Sequence, residues 1–166
     1  MDTGKRDARR RKYLSLGAGE LVAAAVFAAA ALFFVTPRLP QVQDRAALWS
    51  ALVPLLVVLM AAGLYWLLAR TWVERVAMPR GVAITYSVLR IAFPVLLTVG
   101  LVGVVTWWPN NVGVGVLFTA VWVFGAVEYA NYFVVRLAYP VSQWFTAVGE
   151  RRTPRLVTDM RSSRHS

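Results

Sequence analysis

The sequence predicts an all-α polytopic membrane protein, a four-helix bundle with both termini in the cytoplasm. Three observations lead to this fold class: four long apolar runs, basic residues sorted to one side of those runs, and a hydrophobic fraction of 58%. Globular domains typically contain roughly 45–50% apolar residues. Each run contains about 20 or more mostly apolar residues, enough for a helix to cross roughly 30 Å of hydrocarbon. The predicted spans are 17–37, 46–69, 82–108 and 112–139.

Residues 1–16 are predicted to form a basic cytoplasmic tail before the first span. A basic segment followed by an apolar run also describes a signal peptide. However, apolar character continues to Thr36 without a polar cleavage region, and three further spans follow. An uncleaved first span is therefore predicted. Small residues four apart in it would let helices approach closely, although alanine is simply frequent in this span.

The second and third spans each contain a proline, Pro54 and Pro94. Proline removes one backbone hydrogen bond and usually kinks a helix, so these positions would shape packing or permit motion. The segment 107–111, Trp-Trp-Pro-Asn-Asn, predicts a tight turn after the third span. Because this connection is so short, helices three and four are predicted to be antiparallel neighbours.

The distribution of basic residues predicts the orientation. Of the 18 lysines and arginines, 15 lie on the side of the N-terminal tail, the central loop and the C-terminal tail, counting Arg136 near the end of the fourth span, whereas only Arg38 and Arg45 lie in the loops of the other side. Positively charged loops remain cytoplasmic, so both termini are assigned to the cytoplasm. Arginine outnumbers lysine 16 to 2, a bias typical of GC-rich bacterial genomes, which predicts a location in a bacterial plasma membrane.

Residues 140–166 are predicted to form a basic, amphipathic cytoplasmic tail. Val141, Trp144, Phe145 and Val148 follow a helical repeat, and Thr153–Pro154 resembles a helix start. We expect one or two helices lying on the cytoplasmic leaflet, with a flexible tail as the alternative. The candidate contacts to anionic lipid headgroups are Arg9, Arg10, Arg11, Lys12, Arg151, Arg152 and Arg155.

Ionisable side chains inside apolar spans are energetically costly and need an explanation. The candidate polar cluster consists of Glu20, Arg90, Glu128, Asn131 and Arg136. Helix geometry places these residues at similar depth, and we predict that Arg90 bridges Glu20 and Glu128. Three interpretations stay open: a polar clasp that fixes helix register, a proton-coupling site, or side chains that reach out to the headgroups.

Several classes of site are excluded by composition. The chain has no cysteine and a single histidine, His165, near its C-terminus. No cofactor is therefore expected, since thiolate chemistry, Cys-based metal sites and a haem held by paired histidines all lack their ligands. No span carries a pattern typical of catalysis, so we do not expect an enzyme. The net charge of +10 lies mainly at the predicted membrane edges, which disfavours nucleic-acid binding.

The stretch 128–133, Glu-Tyr-Ala-Asn-Tyr-Phe, followed by the basic tail, resembles small actinobacterial membrane proteins of unknown function. The resemblance is clearest in the last third of the chain and implies a family, not an activity. We therefore expect a non-enzymatic accessory or assembly partner in the plasma membrane. The alternative is a small oligomeric proton-coupled transporter or lipid-handling protein. Expected partners are anionic lipids, a second copy of the chain or another membrane protein.

Overall fold

The structure, a computed structural model, describes residues 3–72, 78–134 and 154–162. Every regular element in these ranges is helical, which confirms the all-α fold class. Four helices are long and apolar enough to cross a membrane, as the sequence predicted. The α-helices are α1 (Thr3–Ala29), α2 (Val42–Trp72), α3 (Arg80–Thr106), α4 (Val112–Phe133) and α5 (Arg155–Ser162).

Helix α1 begins at Thr3, well before the predicted span, because the arginines, lysines and leucines of the tail are good helix formers. Its helical path continues through a π-helical segment, Ala30–Val35, and a short 3-10 turn, Thr36–Arg38. Pro37 lies in that turn and lacks the N–H that α-helical bonding would need. Helix α4 ends at Phe133, and the rest of the predicted span to Tyr139 lies outside the described residues.

Helix α2 is the centre of the bundle. It packs against α1, α3 and α4. In its most apolar 18-residue stretch 56% of the residues are buried, whereas the corresponding share for the first span is 11%. Pro54 lies buried inside α2 and Pro94 lies inside α3, and both helices continue through these positions. The predicted turn joins α3 to α4, which pack against each other, and the Asn111 side chain caps α4 by accepting the N–H of Val114.

Close helix contacts depend on glycine at two crossings. A methyl group on Gly17 of α1 would lie 2.9 Å from the carbonyl oxygen of Gly63 of α2. A methyl group on Gly100 of α3 would lie 2.6 Å from the carbonyl oxygen of Ser50 of α2. Small residues at these positions let the backbones approach, as is common between apolar helices.

The bundle has two distinguishable ends. We call the end that holds the start of α1, the end of α2 and the start of α3 the basic end. Helix α5 also lies there and packs against α3 and α4. The buried core at the basic end is rich in aromatic residues, including Tyr65, Tyr86 and Phe93, whereas the core nearer the opposite end consists mainly of alanine and leucine.

Candidate functional site

Three polar side chains connect three helices near the basic end. The Tyr132 hydroxyl of α4 donates a hydrogen bond to Oε1 of Glu20 of α1. Trp66 of α2 donates its indole N–H to the same tyrosine oxygen over 3.4 Å. Tyr132 is only 8% exposed, and hydrogen bonds strengthen where water is excluded. We refer to this arrangement as the Glu20–Tyr132–Trp66 link.

A second carboxylate, Glu128, lies close to this link. It precedes Tyr132 by one helical turn, its side chain is hydrogen-bonded to Asn131, and it interacts electrostatically with Glu20. Both carboxylates are half-buried. Across the described ranges, no lysine or arginine forms an ion pair with Glu20 or Glu128. The structure thus brings Glu20, Glu128 and Asn131 together without a neutralising cation.

Arg90 does not take part in this arrangement, in contrast to the predicted bridge. Its position is in register with the buried Tyr86 and Phe93 of α3, yet its side chain is exposed. The seam between α3 and α4 is filled instead by aromatic rings: Phe93 and Phe133 have ring centroids 5.3 Å apart, and Tyr129 stacks on Phe133. A guanidinium would have to lose its hydration to enter this packed seam, so Arg90 extends outward.

The remaining residues of the predicted polar cluster and of the predicted lipid contacts form two groups, those outside and those inside the described ranges. Arg136, Arg151 and Arg152 lie outside the described residues. Arg9, Arg10, Arg11 and Lys12 are exposed on the first turns of α1. Arg155 begins α5, where its guanidinium lies over the ring of Tyr13, 5.4 Å from the centroid. The predicted lipid contacts that the structure describes therefore all lie at the basic end of the bundle.

Helix α5 is placed differently from the prediction. Its apolar side was expected to face lipid, but Leu156, Val157 and Met160 are buried against the bundle. Its acidic residue, Asp159, accepts hydrogen bonds from the Tyr65 hydroxyl at 2.9 Å and from the Trp72 indole at 3.4 Å. The helix begins at Arg155 and not at Pro154, whose carbonyl accepts the Thr158 N–H. The predicted helix around 141–148 lies outside the described residues.

Sequence reasoning missed four participants: Tyr132, Trp66, Tyr65 and Asp159. Tyr65 and Trp66 stand in an aromatic and basic stretch that is typical of a membrane interface. Asp159 lies four residues after Arg155, on the only strongly amphipathic short helix that the structure describes. The spacing of Arg155 and Asp159 and the apolar face of the helix could have indicated this contact. A carboxylate among apolar neighbours needs hydrogen-bond donors.

The arrangement offers hydrogen bonds and two carboxylates, and within the described residues no group of three or more His, Asp or Glu is placed to hold a metal ion. No protein-family model, no curated protein sequence and no solved structure matches the chain. The resemblance to small actinobacterial membrane proteins therefore stays a prediction.

Proposed function

We propose that this chain is a multi-pass integral membrane protein of the bacterial plasma membrane, with both termini in the cytoplasm. The observation that supports it best is an exposed apolar stripe along α3. The stripe consists of Ile84, Val88, Ile91, Val95, Val99, Val102 and Val105. From Ile84 to Val105 a helix rises about 30 Å, the thickness of the hydrocarbon layer. Water would solvate such a surface poorly, whereas lipid tails would cover it.

The location of the basic residues supports the orientation. Arg9, Arg10, Arg11 and Lys12 lie on the exposed start of α1, and Arg155 lies nearby at the start of α5. Placing the basic end in the cytoplasm satisfies the tendency of positive segments to stay inside. It also brings these cations to the anionic cytoplasmic surface of the bilayer.

The orientation is testable because the chain has no native cysteine. Asn110→Cys, in the turn between α3 and α4, should react with an impermeant maleimide on intact cells. Thr71→Cys, exposed at the basic end, should react only after permeabilisation. Labelling of Thr71→Cys on intact cells would contradict the assignment.

Within the membrane we propose a non-enzymatic role as an accessory or assembly partner. Two features support it. The Glu20–Tyr132–Trp66 link joins three helices, as expected of a clasp that fixes helix register. The connections between α1, α2, α3 and α4 are short, so no soluble domain is inserted between these helices. The test is the size of the complex recovered in mild detergent. A species that holds only copies of this chain, with solute transport in proteoliposomes, would contradict an accessory role.

The alternative is a proton-coupled transporter or lipid-handling protein that works as an oligomer. The observation in its favour is the interaction of Glu20 with Glu128, which no cation among the described residues offsets. Two carboxylates in a low-dielectric setting repel each other, and binding one proton removes that repulsion. Intramembrane acids of this kind often carry protons in transporters.

Glu128→Gln separates these two roles. Under the transporter reading, proton-coupled flux in proteoliposomes is lost while the free energy of unfolding is unchanged or increased, because the repulsion is gone. Under the accessory role, neither the wild-type protein nor the variant supports flux. The property to measure is then the protein composition of the purified complex. Asn131→Ala is a useful companion, since it removes the Glu128 partner but keeps both carboxylates.

A further inference from the structure

A pocket of about 360 Å³ opens at the basic end, between the start of α1, the end of α4 and the start of α5. This volume lies within the range of small-molecule sites, roughly 300–1,000 Å³. Its wall includes three cationic side chains, Arg9, Lys12 and Arg155, and none of its described lining residues is acidic. Asp159 does not line the pocket but forms an ion pair with Arg155, with its carboxylate 4.0 Å from Nε.

The cations lie on a well-defined scaffold. Arg9, Lys12, Tyr13 and Leu16 follow the i, i+3, i+4, i+7 spacing of one helical face, so α1 presents them to the pocket together. The ring of Tyr13 packs on Trp66 with centroids 5.0 Å apart and lies under the Arg155 guanidinium. Aromatic packing of this kind limits the freedom of the wall and reduces the entropy lost on binding.

The chemistry of the pocket suits a phosphate group. Arginine and lysine are the residues that bind phosphate oxygens most strongly, and both kinds are present here. Asn131 and Tyr132 also line the pocket, but their polar groups are hydrogen-bonded to Glu128 and Glu20, so the three cations supply the contacts to phosphate. Leu16 and Leu156 complete the wall with apolar surface, and Leu16 is 36% exposed on the side of α1. A ligand with a phosphate and a hydrocarbon part would use both kinds of surface.

We propose that this pocket binds the headgroup of an anionic membrane phospholipid such as phosphatidylglycerol. The proposal rests on the proposed membrane location, because only then does the basic end lie in the headgroup layer. The cationic residues stand at the boundary where exposed apolar side chains begin, at Leu14 and Leu16. That boundary is the depth at which a lipid phosphate would lie.

The test compares two double variants that remove the same charge from the same turn of α1. Arg9→Gln/Lys12→Gln removes two cations from the pocket, whereas Arg10→Gln/Arg11→Gln removes two exposed cations that do not line it. Detergent-solubilised protein is titrated with short-chain phosphatidylglycerol, and bound lipid is counted by native mass spectrometry. We expect affinity to fall roughly tenfold or more in the pocket variant and much less in the control. Phosphatidylcholine should bind weakly to all three proteins.

Other outcomes would overturn the proposal. An equal loss of phosphatidylglycerol affinity in both double variants would mean that the overall positive charge attracts the lipid and that the pocket is not a specific binding site. Binding of inorganic phosphate as tight as that of phosphatidylglycerol would assign the pocket to free phosphate. If Arg9→Gln/Lys12→Gln fails to fold, Lys12→Gln against Arg11→Gln repeats the comparison with single charges. Failure of the membrane location would appear separately, as reversed or absent topology labelling at positions 71 and 110, whatever the lipid titration gives.

Discussion

At the scale of single residues, the hydroxyl of Tyr132 makes two side-chain hydrogen bonds to other helices. It donates to Glu20 and accepts from Trp66, so one oxygen atom connects α1, α2 and α4. Helices α1 and α4 otherwise meet through long side chains such as Phe27 and Phe124, whose ring centroids are 6.0 Å apart. The link is therefore a specific feature of the interface between α1 and α4.

Tyr132→Phe should lower the free energy of unfolding by about 1–2 kcal/mol. The change keeps the ring but leaves a half-buried carboxylate and an indole N–H without their partner. Reversible unfolding in mixed micelles measures the loss. Tyr129→Phe is the matched control, since that hydroxyl donates to the Arg90 carbonyl over 3.0 Å and joins no second side chain. Equal losses in the two variants would argue against the link.

Arg90→Met should change stability by no more than about 0.5 kcal/mol, because the guanidinium lies outside the polar cluster. Combined with Glu128→Gln, its effect should be additive within about 0.5 kcal/mol. A double-mutant cycle measured by thermal unfolding in detergent checks both statements. Strong coupling between positions 90 and 128 would contradict this additivity and support the ion pair between Arg90 and Glu128 that the sequence predicted.

At the scale of elements, the crossing of α2 and α3 depends on the absence of a side chain at Gly100. A methyl group there would lie 2.6 Å from a backbone oxygen of Ser50 and 2.8 Å from the ring of Pro54. Neither group rotates away, so the helices must separate. Tyr86 also connects these helices by donating to the Ala61 carbonyl over 2.7 Å, and separation would strain that bond.

Gly100→Ala should therefore destabilise the protein by about 1–3 kcal/mol, the usual cost of overpacking. Gly19→Ala is the control within α1, because no atom lies within 4 Å of the added methyl group. It should be neutral or stabilising by up to about 1 kcal/mol, since alanine favours a helix. Thermal unfolding of both variants in the same detergent gives the comparison, and a stable Gly100→Ala protein would refute the tight crossing.

Helix α5 is held by its apolar side and by Asp159. Leu156 is 2% exposed, so Leu156→Asn should release the helix from the bundle, as large core losses cost about 2–5 kcal/mol. Trypsin should then cleave after Arg155 at least about tenfold faster. Thr158→Asn, on the exposed side of the same helix, should leave the cleavage rate unchanged. Equal rates in the two variants would mean that α5 does not dock through Leu156.

At the scale of the whole molecule, apolar side chains make up both the exposed surface and the buried core of the described bundle, and polar groups lie only partly buried between the helices. Phe33, Phe34 and Ile91 are among the most exposed side chains, whereas hydroxyl and carboxylate groups such as those of Tyr132 and Glu20 face neighbouring helices. This distribution is unfavourable in water and suits a surrounding of lipid tails. Of the four candidate spans, α2 is the most buried because it packs against the other three helices.

The chain should accordingly remain with the membrane pellet after an alkaline carbonate wash and require surfactant for extraction. The reason is the exposed stripe of α3. Transfer of this stripe from lipid to water would cost a free energy of about 25 cal/mol for each Å² of apolar surface. Fractionation of the untagged protein, with a soluble marker as control, measures this. A monodisperse protein in the surfactant-free supernatant would refute the membrane location.

By itself, the sequence determined the helical class, the number of long apolar helices and the accumulation of basic residues at one end. These properties depend on local length and composition, which add along the chain and can be counted without knowing any neighbour. The same reasoning set Glu20, Glu128 and Asn131 at similar depth, because depth follows from residue number in a helix.

Only the tertiary structure decided which polar groups meet. The partner of Glu20 depends on how α1, α2 and α4 are rotated and how closely they pack, and aromatic rings rather than Arg90 fill the seam of α3 and α4. The placement of α5 depends likewise on an apolar surface at the basic end that residues of several helices form together. Side-chain partners are set by contacts between distant segments, and composition along one helix does not contain that information.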